Sequence, residues 1–260
     1  MLIIGEKINA TRKQIAAALK NRDAELIAQT AKEQAEAGAD YIDVNGGDPN
    51  AERETENIAW LVELVQANTD VPVAVDTASI AAARQGLSMA KGRPILNSVS
   101  LERERLESYL PLLAEFDCLV IALLMDDHGT PSGVEDRVER AEALLGKLTD
   151  AGRKLEDVIV DPCFLPVSTD TASAGKCLQA IAEIRRRWPE VHIGGGVSNI
   201  SFGLPKRRHV NLAALAQAIY CGMDAAITDP CGMDVMPTIL AAEALAGRDD
   251  FCMNYVQALR

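Results

Sequence analysis

Short apolar runs alternate with longer amphipathic stretches along the whole of this chain. Strand-like runs fall at Leu2–Gly5, Tyr41–Val44, Val71–Val75, Pro94–Leu96, Cys118–Leu124, Val158–Val160, Val191–Ile193 and Ala225–Thr228. They are nearly continuous in Val, Ile, Leu and Ala, as strands covered on both faces require. Between them the period changes to that of a helix. Over Asp23–Ala37 the apolar positions Leu26, Ile27, Thr30 and Ala31 share one face, with Asp23 placed to cap the start and Gly38 to stop the end. Ser100 is expected to cap a helix over Leu101–Glu115. Further helices are expected over Val134–Leu148, ending near Gly152, over Thr171–Trp188 and over Asn211–Cys221. The Ser-, Thr- and Ala-rich stretch Val167–Gly175 reads as loop.

Eight strand–helix units in 260 residues predict a TIM (β/α)8 barrel. A doubly wound open sheet is the rival, but it usually has fewer strands, and no GxGxxG follows the first strand here. No low-complexity linker divides the chain, so one domain spanning residues 1–260 is expected.

Composition narrows the function classes. The longest apolar runs, such as Leu119–Met125, are far too short to span a membrane. The opening Met-Leu-Ile-Ile-Gly-Glu has no basic region or small-residue cleavage site, which implies a cytoplasmic protein. A net charge of −12 argues against nucleic acid as a partner. Of the two basic clusters, Arg185–Arg187 reads as a solvated helix end suited to the helix dipole. Lys206–Arg208 is either a surface loop or a patch that meets an acidic group. The six cysteines are dispersed with no CxxC pair, so reduced core residues are expected rather than disulfides or a zinc cluster.

Chemistry is expected at the C-terminal ends of barrel strands. Those positions carry Glu6 and Asn9, Asp43 and Asn45, Asp76, Asn97 and Ser98, Met125 to Asp127, Asp161, Ser198 and Asn199, and Asp229. Carboxylates and carboxamides dominate, while Lys, Arg and His are nearly absent until after the seventh strand. No lysine ends a strand, which disfavours Schiff-base chemistry, and the lack of cations disfavours a phosphate-centred site. A crown of acceptors suits either a divalent metal or a donor-rich heterocycle, and the scarcity of histidine disfavours a metal-dependent hydrolase. In a reduced pterin the 2-amino group and a ring N–H both donate, so one carboxylate can accept both bonds side by side.

The segment Gly195-Gly196-Val197-Ser198-Asn199 resembles the pterin-binding methyltransferase family, which includes the folate domain of cobalamin-dependent methionine synthase and the methyltetrahydrofolate:corrinoid protein methyltransferases. Gly5–Asn9, Asp43–Asn45, Val75–Thr77, Leu96–Ser98 and Asp161–Pro162 resemble that family's series in the same order. The resemblance implies methyl transfer between methyltetrahydrofolate and a corrinoid, in a direction left open, and a homodimer. It implies that Asp76, Asn97 and Asp161 hold the pterin ring, with Asp43, Asn45, Gly196 and Ser198 close by. Asn199 would hydrogen-bond the ring nitrogen that carries the methyl group, and Glu6, Asn9 and Met125 would support the site. No metal is expected. Simpler roles stay open: Asp76 also fits a helix cap, Asp43 a loop brace, and Asp126–His128 a solvated turn.

A methyl group on a tertiary amine is a poor electrophile. Its transfer needs a strong nucleophile, such as the cobalt of a reduced corrinoid, and stabilisation of the nitrogen as the bond breaks. An asparagine amide serves by turning either its oxygen or its NH2 towards the nitrogen. The Asp-x-His-x-x-Gly pattern of base-off cobalamin proteins is absent, since Pro131 stands where the glycine would be. The corrinoid is therefore expected on a partner protein. Dihydropteroate synthase, which shares the pterin-binding barrel, has a Pro-Asp-Ser-Phe segment after its first strand. Here that strand leads to Ala10-Thr11-Arg12-Lys13. A non-catalytic pterin-binding subunit is the other alternative.

Overall fold

The computed structural model describes residues 1–260. The strands are β1 (Leu2–Asn9), β2 (Tyr41–Asn45), β3 (Val73–Asp76), β4 (Ile95–Val99), β5 (Leu119–Leu123), β6 (Val158–Asp161), β7 (His192–Ile193) and β8 (Ala225–Thr228). All pair in parallel in the order β7-β6-β5-β4-β3-β2-β1-β8. The two ends of that sheet meet where Asp224 N–H donates to Ile193 C=O (3.0 Å) and Ile227 N–H to Gly195 C=O (3.1 Å). The eight strands thus form a nearly closed TIM barrel, as the alternation of periods predicted.

Helices α1 (Lys13–Asn21) and α2 (Ala24–Glu36) fill the first connection. Then α3 (Ala51–Asn68), α4 (Ile80–Met89), α5 (Arg103–Glu115), α6 (Val134–Asp150), α7 (Ser173–Arg187) and α8 (Arg207–Tyr220) each follow one strand, and α9 (Val235–Leu245) and α10 (Met253–Ala258) follow β8. Asp23 caps α2 as expected, its carboxylate accepting from Leu26 N–H at 3.1 Å.

Several boundaries differ from the sequence expectation for identifiable reasons. Strand β1 runs past Gly5 to Asn9, so Glu6 and Asn9 lie in the strand itself. Its register shifts between Gly5 and Ile8, where Lys7 N–H donates to the Gln34 side chain (2.9 Å). Helix α5 starts at Arg103, with Glu102 at the cap position. Ser100 is buried, and its hydroxyl is spent on the Glu102 carboxylate (2.8 Å). Helix α8 starts at Arg207, not Asn211, because Arg207 reaches back to the preceding loop and anchors the first turn there. Part of the expected Val167–Gly175 loop belongs to α7, which begins at Ser173. The Arg185–Arg187 run is not a purely solvated end. Arg186 and Arg187 pair with Glu183, but Arg185 donates to the carbonyls of Gly222 (3.1 Å) and Val191 (2.7 Å) and pairs with Asp224, fastening α7 under the barrel.

Two apolar clusters hold the fold. The larger lies between strands and helices, as in Val44, Val75, Leu96, Val120 and Val160 packed against Ile58, Leu112, Leu144 and Ile181. The smaller plugs the barrel: Ile4, Ala74, Ile95, Ile121, Ile159 and Ala225, with Leu2, Tyr41, Leu119 and Ile227 around them. This plug fixes where the site begins. Side chains alternate along a strand, so the position two residues beyond a plug residue faces the same interior, one layer nearer the C-terminal mouth. Those positions are Glu6 after Ile4, Asp43 after Tyr41, Asp76 after Ala74, Asn97 after Ile95 and Asp161 after Ile159.

Candidate active site at the barrel mouth

Above the apolar plug lies a cavity of about 520 Å³. Glu6, Asn9, Asp43, Asp76, Asn97, Asp161, Gly196, Ser198 and Asn199 all line it. They come from β1, β2, β3, β4, β6 and the loop after β7, so most strand-end residues named from sequence converge on one space, while Asp126, Asp127 and Asp229 do not line it. Two others lie behind the wall. Asn45 donates its side-chain NH2 to the Asp76 carboxylate (3.0 Å) and accepts from Gly47 N–H (3.1 Å), bracing Asp76 from behind. Met125 is half-buried against the core, and its backbone joins the β5 loop to Leu101 (2.8 Å).

The carboxylates sit in unequal environments. Asn97 donates its NH2 to Asp43 (3.1 Å), yet Asp43 is pushed well above the usual carboxylate range, first by burial and then by the neighbouring Asp76 and Glu6 charges. Asp76 is also raised by burial, with the Asn45 hydrogen bond and the Arg105 charge opposing. Of this close pair, Asp43 is raised the further. Asp161 is raised to about 6 by burial, although the backbone N–H groups of Cys163 (2.9 Å) and Gly196 donate to it. Burial raises Glu6 as well, against the pull of Arg12 and Arg207. Desolvation thus outweighs the hydrogen bonds at each carboxylate, as expected of acceptors stripped of water and awaiting donors from a ligand.

The triple glycine follows from close approach. A Cβ on Gly194 would sit 2.6 Å from the Ala225 carbonyl oxygen on β8, and one on Gly195 would sit 2.5 Å from the Asp161 carboxylate. The chain must pass flat between these groups to close the barrel and leave Asp161 open to the cavity. It then turns through a 3-10 segment, Val197–Ser201, that presents Ser198 and Asn199.

Arginines on the following helices tie down the backbone at the mouth. Arg137 is 1% exposed and donates to the carbonyls of Pro162 (2.7 Å), Cys163 (3.1 Å) and Gly133 (3.0 Å), next to Asp161. Arg105 donates to the carbonyls of Ser98 (2.8 Å) and Thr77 (3.2 Å), just beyond Asn97 and Asp76. Arg207 donates to Ser198 C=O (2.6 Å) and Ser201 Oγ (2.9 Å).

Ser98, a strand-end position, and Arg207, from the Lys206–Arg208 cluster, also line the cavity, together with Thr11, Arg12, Ile121, Leu123, Phe202 and Ile227, which the sequence had not singled out. Ile121, Leu123 and Ile227 were recoverable from strand alternation. Arg12 lies beyond the strand end as expected from sequence, and only the longer β1 brings it to the rim. No group of three or more His, Cys, Asp and Glu side chains is arranged to hold a metal ion. Asp126 and Gly129 close a turn, and Asp126 pairs with Arg140 (3.2 Å). No helix is long and apolar enough to cross a membrane.

An acceptor-lined pocket over an apolar plug, in a barrel of this topology, is the architecture of a pterin-binding enzyme. Residues 5–229 match the family model described as "Pterin binding enzyme", and the chain belongs to that family. It is 34% identical over 262 residues to the methylcorrinoid:tetrahydrofolate methyltransferase of Eubacterium limosum, covering 100% of this chain and 96% of that one. It is 30% identical over 247 residues to the methionine synthase of Mycobacterium leprae, covering 87% of this chain but only 20% of that longer protein. Among solved structures, the dihydropteroate synthase of Coxiella burnetii in complex with pteroic acid superposes with a TM-score of 0.74. The match covers 94% of this chain and 93% of that one at 14% identity, which establishes the shared fold alone.

Proposed function

We propose that this protein is a methyltransferase that moves a methyl group between the cobalt of a corrinoid and N5 of tetrahydrofolate. The observation that carries the proposal is the convergence of Asp76, Asn97, Asp161 and Asn199 on one cavity above the plug. The full-length similarity to the Eubacterium limosum enzyme supports this chemistry, and that enzyme's name puts methylcorrinoid as donor. We take the same direction here, towards methyltetrahydrofolate.

Asp76, Asn97 and Asp161 hold the pterin by accepting from and donating to its ring edge, with Asp43 and Asn45 fixing Asn97 and Asp76 in place. Asn199 hydrogen-bonds N5. It acts by stabilising charge at that nitrogen in the transition state, while the proton N5 gives up or gains is exchanged with solvent. The corrinoid supplies a cobalt able to give or take the methyl group. This chain's own residues do not fit a resident corrinoid. His128 is exposed beside the Asp126–Gly129 turn, His192 is held by Asp224 (3.0 Å), and His209 is exposed on α8, so none lines the cavity. The corrinoid therefore arrives on a partner protein that docks over the mouth. A second copy of the chain is the proposed cover for the exposed apolar residues Leu245, Phe251 and Leu259 at the α9–α10 end, and a cytoplasmic setting suits its six free thiols.

The test is anaerobic mixing of the protein with tetrahydrofolate and methylcobalamin, and separately with methyltetrahydrofolate and cobalt(I) cobalamin, followed by visible spectroscopy. Enzyme-dependent exchange of the two cobalamin bands is the expected result. Tight pterin binding without exchange, even with added corrinoid proteins, would leave a non-catalytic pterin protein. Absence of pterin binding would overturn the reading.

A further inference from the structure

The cavity is zoned. Its depth is lined by acceptors, Asp43, Asp76, Asn97 and Asp161, over the apolar plug. Its edge is different. Phe202 lines it and is 65% exposed, with its ring at the cavity's edge. Only two cationic side chains line the cavity, Arg12 and Arg207, and both are exposed at its edge.

These arginines are not loose surface groups. Arg207 is fixed by its bonds to Ser198 and Ser201, and its guanidinium carbon lies 5.9 Å from the centre of the Phe202 ring. Arg12 is held by one contact, Nη2 to Glu6 at 3.1 Å. A guanidinium carries five N–H donors, so each retains donors beyond those contacts. A chain with net charge −12 thus presents two positioned cations and an aromatic face at the rim of an otherwise acidic pocket.

We infer that Phe202, Arg12 and Arg207 form a rim subsite for the tail of a folate, with the aromatic ring against its aminobenzoyl group and the guanidinium groups on its glutamyl carboxylates. This rests on the folate reading above and adds to it. The inner acceptors recognise the pterin head, and the rim separates a folate from a bare pterin and favours γ-linked polyglutamate forms. The two zones, inner acceptors and an aromatic and cationic edge, match the order of head and tail along that molecule. Arginine suits the task because its planar fork meets a carboxylate side by side.

The test is anaerobic calorimetry with three ligands: methyltetrahydrofolate with one glutamate, the same with three, and a methylated tetrahydropterin without a tail. Wild-type protein is expected to bind all three, most tightly the triglutamate, with the advantage of the tail shrinking as salt is raised. Arg12→Gln is expected to weaken both tailed ligands roughly three- to tenfold and leave the tail-less pterin unchanged, the range for a partly exposed charge-assisted contact. Arg12→Lys should restore part of the loss, and Phe202→Ala should repeat the pattern. Equal weakening of all three ligands would overturn the proposal by making Arg12 a support of the pocket through Glu6. No change with any ligand would overturn it by showing that the rim does not read the tail, leaving an acidic face of a partner as its occupant. Failure of all three ligands to bind wild-type protein would instead sink the folate reading itself.

Discussion

Asp161 and Asn199 do different work in the same cavity. Asp161 is a buried acid whose proton is held more tightly in the folded chain than in the unfolded one, with its pKa raised to about 6. The stabilisation from that proton is fully present below about pH 4 and is lost as pH rises through about 6, a difference of about 3 kcal/mol. Asp161→Asn is therefore expected to raise the melting temperature at pH 8 by several degrees, with the gain gone near pH 4. The same substitution should weaken pterin binding at least tenfold. Thermal denaturation across pH and calorimetry at one pH check both halves. Asp161 would then be a site where stability is given up for binding. Asn199, which lines the cavity, is proposed to act on the transition state rather than on affinity. Asn199→Ala should lower turnover about a hundredfold while the folate dissociation constant moves little, since losing one preorganised donor costs about 3 kcal/mol of barrier. Parallel loss of both, seen by combining single-turnover kinetics with calorimetry, would make Asn199 a binding residue.

The elements around the mouth act as anchors. Strands β3 and β6 end at pocket residues and β4 carries Asn97 and Ser98 near its end, and arginines from α5 and α6 hold the carbonyls of Ser98, Thr77, Pro162 and Cys163. Arg137 is the most committed: three carbonyls depend on a side chain that is nearly without solvent contact. A lysine has the charge but not the fork, so it cannot span three acceptors. Arg137→Lys is expected to cost about 3 kcal/mol of stability, the scale for buried acceptors left without donors, and urea denaturation measures it. The strap carrying Asp161 should loosen with it, so pterin affinity should fall too. An unchanged midpoint in urea would contradict this account.

At the scale of the molecule, the barrel is one sheet whose ends meet beside the Val197–Ser201 segment. Strand β7 has two residues, and the Gly195–Ile227 contact completes the ring just where Asn199 is presented. Closure and site assembly are therefore the same event. We expect residues 1–260 to unfold as one unit, with equal calorimetric and van't Hoff enthalpies. Two separable transitions would mean that the α8–α10 end folds independently.

Sequence by itself determined the barrel and most of its polar interior. Nearly continuous apolar runs separated by period-3.6 stretches admit few other architectures. The same alternation places Asp43, Asp76, Asn97 and Asp161 one step beyond an apolar plug, because a strand residue's direction is set by its parity alone. The order of these residues, with Gly195–Asn199, also marked the family. Tertiary structure alone decided what depends on distance between remote segments. It placed Asn45 behind Asp76 rather than in the cavity, extended β1 through the contact with Gln34, and started α8 at Arg207. It turned Arg185 inward and gathered Arg12, Phe202 and Arg207 at one rim. The burial that lifts Asp43 and Asp161 above the usual carboxylate range is likewise a property of the closed barrel, since desolvation depends on what all eight strands exclude together.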